Sequence, residues 1–532
     1  MGIRRRGALG VAALALLAAA TMACGSDDGA GGAAGGTGDG EGGCTEERVG
    51  GSLTMGTFTE AKGLDPIVQF GSGVAGGIET AAIFDRLMEW DPETGEVRPR
   101  VAESLEPNDD FTEWTLTLRP DITFGNGDPL TAEAVKFSIE RTQSEQNQTQ
   151  SREAAAIIES VEVVDDLTAR FTLTEAWPGF PALLADEPGM VVNPAVVESM
   201  SPEEFNRNPR GAGVGPYEPV RFQPGEEIVL EARDDYWGGP VCIQELRFVW
   251  IAGGEATLDA FERGELQMAF LRDPLVVQRA LDSGVQHFQS LQNLSEVLWF
   301  NTEAPHPTED VRIRRAIAAA IDVEALDQRI NEGTGAPTSA VIGEDSLLYA
   351  GAEGPAHDPE EAERLLDEVR DETGYDGSLT FLCDTNREEQ AVAVEAQLES
   401  VGFDVDLNSA LQVSDLIQRT RVNRDFDIAC GGASVNDASP WLRLAPKIGS
   451  GNQAEPAYES EDMDAALDDL RLAETLEEQQ EALVEVQEIW NRDVPSMNLA
   501  TVVETIVWDE SVHGLTFTSK TVVFFDQAWI EG

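Results

Sequence analysis

Five cysteines carry the most specific chemistry in this chain of 532 residues. Cys44, Cys242, Cys383 and Cys430 stand far apart, and none has the C-x-x-C spacing of a zinc site or a thioredoxin-type redox pair. The fifth, Cys24, follows Arg4, Arg5 and Arg6, an apolar run from Ala8 to Ala20, and the small residue Ala23. That run is too short to span a bilayer and reads as an export signal. An even number of cysteines in the exported body points to two disulfides, with three possible pairings. Other chemistry is weaker. His287, His306, His357 and His513 form no H-x-x-x-H pair. Gly211, Gly213 and Gly215 suggest a phosphate loop, but Pro216 and Tyr217 lead into an alternating strand, so no helix N-terminus is available. Acidic pairs are plentiful enough for a glycosidase arrangement, yet nothing marks one out, and no G-x-S-x-G elbow is present. These residues imply no metal, no cofactor and no catalytic group.

The order of leader, cysteine and the Gly-rich stretch Gly25 to Gly43 resembles a bacterial lipoprotein. The resemblance implies removal of 1–23, acylation of Cys24 and a flexible tether over 24–44. Thr21 stands where that family usually has leucine. Several acyl chains at ~0.8 kcal/mol per buried methylene would hold the protein on a membrane. Plain secretion, with a cut near Ala23, is the alternative.

Length allows roughly three average domains after the tether. Hydrophobic content of 42% suits a globular body, and no second apolar stretch is long enough to cross a membrane. The net charge of −62 would repel nucleic acid and anionic headgroups. Lysine occurs only at Lys62, Lys136, Lys447 and Lys520. The acidity fits a solvated surface suited to solubility or a salty habitat; attraction of a cationic ligand is the sharper alternative.

Pattern then supplies the elements. Gly51 to Thr57 alternates as a strand, Ile78 to Met88 reads as a helix, and Trp114 to Leu118 alternates again. Thr131 precedes a helix through Val135 and Ile139, and Val161 to Leu173 reads as two short strands. Later, Leu379 to Cys383, a helix through Ala391, Val394 and Leu398, Phe403 to Leu407, another helix and Phe426 to Cys430 alternate as strand and helix. That order implies a parallel sheet with right-handed crossovers. In the usual doubly wound order the first and third strands are neighbours, which pairs Cys383 with Cys430 and leaves Cys44 for Cys242.

A series of phrases from about Gly51 to the end resembles solute-binding protein family 5 of ABC importers. It includes Gly63-Leu64-Asp65-Pro66, Ile83-Phe84-Asp85-Arg86-Leu87-Met88, Leu130-Thr131-Ala132-Glu133-Ala134-Val135 and Gly213-Val214-Gly215-Pro216-Tyr217. Asp235-Tyr236-Trp237 and Val311-Arg312-Ile313-Arg314-Arg315-Ala316-Ile317 continue it. The resemblance implies an α/β, two-lobed periplasmic-binding-protein-like fold (class II, cluster C) with an extra subdomain and a hinge-closed cleft. The first lobe would take 45–78, 215–298 and 497–532, the inserted subdomain 79–214, and the second lobe 300–496. Function would be capture of a peptide or similar solute outside the cell and delivery to membrane permease subunits, by a monomer with no catalytic residue. A non-peptide solute (oligosaccharide, opine, siderophore or metal complex) or, further off, a surface hydrolase are the alternatives.

The same resemblance nominates ligand-binding residues on both lobes. Phe58, Thr59 and Glu60 follow the first strand, Trp299 and Asn301 sit at the crossing, and Ser434, Asn436 and Asp437 lie in the loop after Cys430. Peptide receptors carry Gly-Trp-x-x-Asp in that loop, and its aspartate holds the peptide's amino terminus. Here Ala433 stands at the tryptophan position and Asn436 at the aspartate position, with Asp437 one step on. A core position for Trp299 and a helix cap for Asn436 are the plainer readings.

Overall fold

The computed structural model describes residues 43–531 apart from 70, 148 and 452–456. The leader, Cys24 and the tether through residue 42 lie outside them. At the centre run two long antiparallel strands, Gln286–Phe300 and Ser496–Trp508. One sheet grows outward from both ends of this pair. Toward one side come Met268–Leu271, Ser52–Thr57, Glu245–Trp250, Glu227–Ala232 and Tyr217–Gln223. Toward the other come Ile428–Gly431, Ser378–Asp384 and Asp404–Leu411. These are the sheets of two lobes, and the long strands cross between them. Their register slips between Gln292 and Glu296, with Leu294 at φ 51°. A bulge bends a strand locally, and this one lies where the pair leaves one lobe for the other.

In the second lobe, Ser378–Asp384 is parallel to both Asp404–Leu411 and Ile428–Gly431. Its apolar run reflects burial on two faces: Leu379, Phe381 and Cys383 face one core and Leu382 another. Helix Glu388–Ser400 returns over the first face through Ala391, Val394 and Leu398. Helix Pro359–Thr373 begins where Asp358 accepts the Glu361 N–H at 3.0 Å, and it buries Leu365, Leu366 and Val369. Disulfides join Cys383 to Cys430 and Cys44 to Cys242, with Cα separations of 4.9 Å and 5.5 Å.

The insert is a four-stranded antiparallel sheet of Ala102–Pro107, Glu113–Leu118, Thr168–Leu173 and Ile158–Asp165, covered by helix Ala132–Gln143. Trp114, Phe171 and Phe180 centre its core, with ring centroids 5.7 Å and 5.3 Å from Phe180. That core draws on residues from Leu87 to Val191 and on Val214, whereas Ile78, Phe84, Met190, Val192 and Phe205 pack in the first lobe.

One helix is shorter than its periodicity suggests. Gly77–Phe84 is helical, but Met88–Trp90 is a strand. Tertiary contacts override the pattern at Asp85, which sits at φ 57° with a fully buried carboxylate. Tyr236 Oη donates to Asp85 at 3.0 Å, and Arg100 pairs with Asp85, with Glu89 at 2.9 Å and with Asp526 at 2.9 Å. Turning the chain into this cluster stops the helix.

Candidate ligand cleft

A cavity of about 290 Å³ lies between the insert and the second lobe, with Lys520 of the first lobe at its edge. The insert contributes the turn Glu187–Gly189, placed directly after helix Phe180–Leu184. Gly189 packs so closely on that helix that a Cβ there would collide with the Leu184 carbonyl. The second lobe contributes helix Pro440–Ile448, whose Trp441 and Arg443 reach the cavity. The walls also touch around it. Trp177 and Trp441 have ring centroids 5.3 Å apart, Arg471 pairs with Glu175 at 3.4 Å, and Arg443 donates to Gln150.

Charge is concentrated here. Lys520 pairs with Asp186. Burial alone would push Asp186 up, but Lys520 and Arg86 outweigh it and hold its carboxyl below the usual carboxylate range. Burial pushes the neighbouring Glu187 up to about 8, with the Asp186 charge adding to it against the pull of Lys520. Burial also lowers the Arg443 guanidinium, opposed by Asp186 and Glu187. Arg443 donates to the Ala433 carbonyl at 2.7 Å and the Ser434 carbonyl at 3.3 Å, so it braces the loop after Gly431.

Of the residues nominated from the sequence, Asn436 lines this cavity. Its Oδ1 accepts the Ala438 N–H at 3.2 Å, a local turn bond that leaves the amide nitrogen for other partners. Asp437 is directed elsewhere. It accepts from Ser346 Oγ at 2.6 Å and from the Leu347 N–H at 3.2 Å, and burial raises its carboxyl against those bonds. Ser434 sits at φ 53° and bonds Ser295 at 3.3 Å. Trp299 is core, 1% exposed and packed among Val297, Leu444 and Trp490. Asn301, fully buried, donates to the carbonyls of Arg424 and Phe426 at 3.1 Å each and so latches two loops. In the first lobe Phe58 packs 5.9 Å from Phe270, Thr59 donates to the Val74 carbonyl at 2.5 Å, and Glu60 accepts the Gly225 N–H at 2.5 Å beside a separate small pocket.

Sequence reasoning passed over Asp186, Glu187, Arg443 and Lys520. A signal was present for two of them: Asp186 and Glu187 interrupt the apolar run Phe180 to Met190, where uncompensated charge is costly. Among the described residues, no group of three or more His, Cys, Asp or Glu could hold a metal ion, and no helix is long and apolar enough to cross a membrane.

Known proteins share this arrangement. Residues 96–455 match the bacterial extracellular solute-binding proteins, family 5. A probable D,D-dipeptide-binding periplasmic protein of Escherichia coli is 28% identical over 440 residues, covering 78% of this chain and 81% of the relative. The peptide complex of a periplasmic binding protein from Helicobacter pylori superposes with a TM-score of 0.74 at 21% identity, covering 92% of this chain and 99% of that one. The agropinic acid complex of a binding protein from A. tumefaciens gives 0.72 at 22% identity, covering 91% and 99%. With two lobes, two crossing strands and an insert facing the cleft, the chain belongs to the bacterial extracellular solute-binding proteins, family 5.

Proposed function

We propose that this protein captures a peptide or similar small solute between its lobes and delivers it to the permease subunits of an ABC importer. The observation that carries this reading is the cavity itself: its charged walls come from bodies joined through two crossing strands. A solute touching both walls stabilises the closed arrangement, which a transporter can recognise. That role needs no catalytic residue and no cofactor, and it suits a monomer. Titration of the purified protein with dipeptide and tripeptide pools tests it. A bound solute at 100 times its Kd adds ~2.7 kcal/mol of stability, read as a rise in melting temperature. Absence of any shift, with peptides or with other small solutes, would remove the receptor reading.

A non-peptide solute is the second reading, favoured by the loop after Gly431. Ala433 and Asn436 stand where peptide receptors carry tryptophan and aspartate, and Asp437 is held by Ser346 and Leu347. A neutral amide binds an ammonium more weakly than a carboxylate does. The agropinic acid complex among the structural relatives fits such a solute. Mass spectrometry of small molecules retained from the native host distinguishes the two.

The leader and Cys24 support a lipid anchor on the outer face of the cell membrane. Replacing the cysteine (Cys24→Ala) is expected to move the protein from the membrane fraction to the medium with its ligand affinity intact. An unchanged membrane fraction would exclude the anchor.

A further inference from the structure

The geometry points to a ligand that carries a protonated amine and presents it to Glu187, on the insert, rather than to the loop of the second lobe. This rests on the receptor reading above and names the chemistry of its ligand. Glu187 lines the cavity and is 6% exposed, yet its Oε1 has no hydrogen-bond partner and no ion pair reaches its carboxylate among the described residues. Buried carboxylates are otherwise paired or hydrogen-bonded, because leaving one bare forfeits its solvation. The side chain is also fixed in place: it lies over Gly71, where any Cβ would overlap it and where φ is +36°.

Neighbouring cations hold other partners, and none forms an ion pair with Glu187 among the described residues. Lys520 pairs with Asp186, whose Oδ1 is itself without a partner. Arg86 donates to the carbonyls of Ala185 at 2.8 Å and Gly71 at 3.2 Å, and its Nε, though without a partner, does not bond Glu187. Arg443 is spent on the Ala433 and Ser434 carbonyls and on Gln150. Glu153 and Glu175 line the cavity as well, so its carboxylates outnumber Arg443 and Lys520 by two to one. Across the cavity the loop offers no free carboxylate, since Asp437 is engaged with Ser346 and Leu347. What Asn436 offers is an amide N–H, the partner for a carbonyl or carboxylate. The ligand is thus held amine to insert and acceptor to second lobe.

Binding to a dipeptide library with free amino termini, and to the same library N-acetylated, tests this in wild type, Glu187→Gln and Asp437→Asn. We expect wild type to bind the free-amine set and to lose about 10- to 100-fold on acetylation. Glu187→Gln should lose as much for the free-amine set, with an unliganded melting temperature at or above wild type, because a carboxyl that burial forces to hold its proton has been replaced by a neutral amide. Asp437→Asn should stay within about twofold in affinity. Equal binding of both libraries by wild type, or a loss confined to Asp437→Asn, overturns the inference and leaves the receptor reading standing. No binding of either library while another solute binds overturns it too, unless that solute carries an amine and Glu187→Gln weakens it. No binding of any solute removes both.

Discussion

Replacing Arg100 by alanine is expected to destabilise the protein by about 3–5 kcal/mol, the usual result of stripping one partner from a buried ion cluster. Its side chain is 9% exposed, pairs with Asp85, Glu89 and Asp526, and lies 3.8 Å from the centroid of the Phe524 ring. Removal leaves the fully buried Asp85 facing Asp526 with no cation between them. The damage is also topological. Arg100 follows the insert strand Val97–Pro99, whereas Asp526 and Phe524 lie near the C-terminus in the first lobe, so the residue fastens one body to the other. Arg100→Lys should recover only part of the loss, since an ammonium cannot fork to three carboxylates. Urea unfolding measures both variants, and a loss below about 1 kcal/mol for the alanine would show that the cluster contributes little.

Raising the pH from 5 to 8 should weaken the unliganded protein. Burial pushes Glu504 up to about 7, opposed by its bond from Thr521, and pushes Glu79 up to about 7 as well. Both have an ordinary value of 4.5. Between that value and 7 the folded state keeps protons that the unfolded chain has lost. The contribution of these two groups is therefore full below 4.5, falls as pH rises toward 7, and is level beyond. Each group accounts for about 3 kcal/mol at most. Glu504→Gln should match wild type near pH 5, exceed it near pH 8 and flatten the profile between. Parallel profiles for variant and wild type would mean that Glu504 does not titrate in this window.

Much of this architecture was legible in the chain. Alternation at Trp114 to Leu118 and the strand-helix-strand run from Leu379 to Cys430 are local patterns, and both became the elements expected. The helix expected to reach Met88 failed because Asp85 answers to Arg100 and Tyr236, residues 15 and 151 positions away. The cleft was less legible for the same reason. Asn436 was nominated because it lies in a loop with a family pattern. Glu187 owes its exposure to the cavity to Gly189 packing on Leu184, to Gly71 beneath it and to a helix some 250 residues later. Chemistry assembled from three separate bodies leaves no spacing in one dimension. Trp299 and Asn301 illustrate the converse: nominated by their place at the crossing, they serve the core and the loops of the second lobe.

The staple between Cys44 and Cys242 spans 198 positions and lies at the very start of the described chain. Tension applied from the N-terminal side divides at Cys44 between that covalent bond, toward strand Glu245–Trp250, and the backbone, toward strand Ser52–Thr57, both in the sheet of the first lobe. The second lobe hangs from the crossing strands, downstream of the load. A protein pulled or moored at its beginning therefore keeps its first lobe as the stationary half, and whatever swings on opening is the half that carries Trp441 and Arg443.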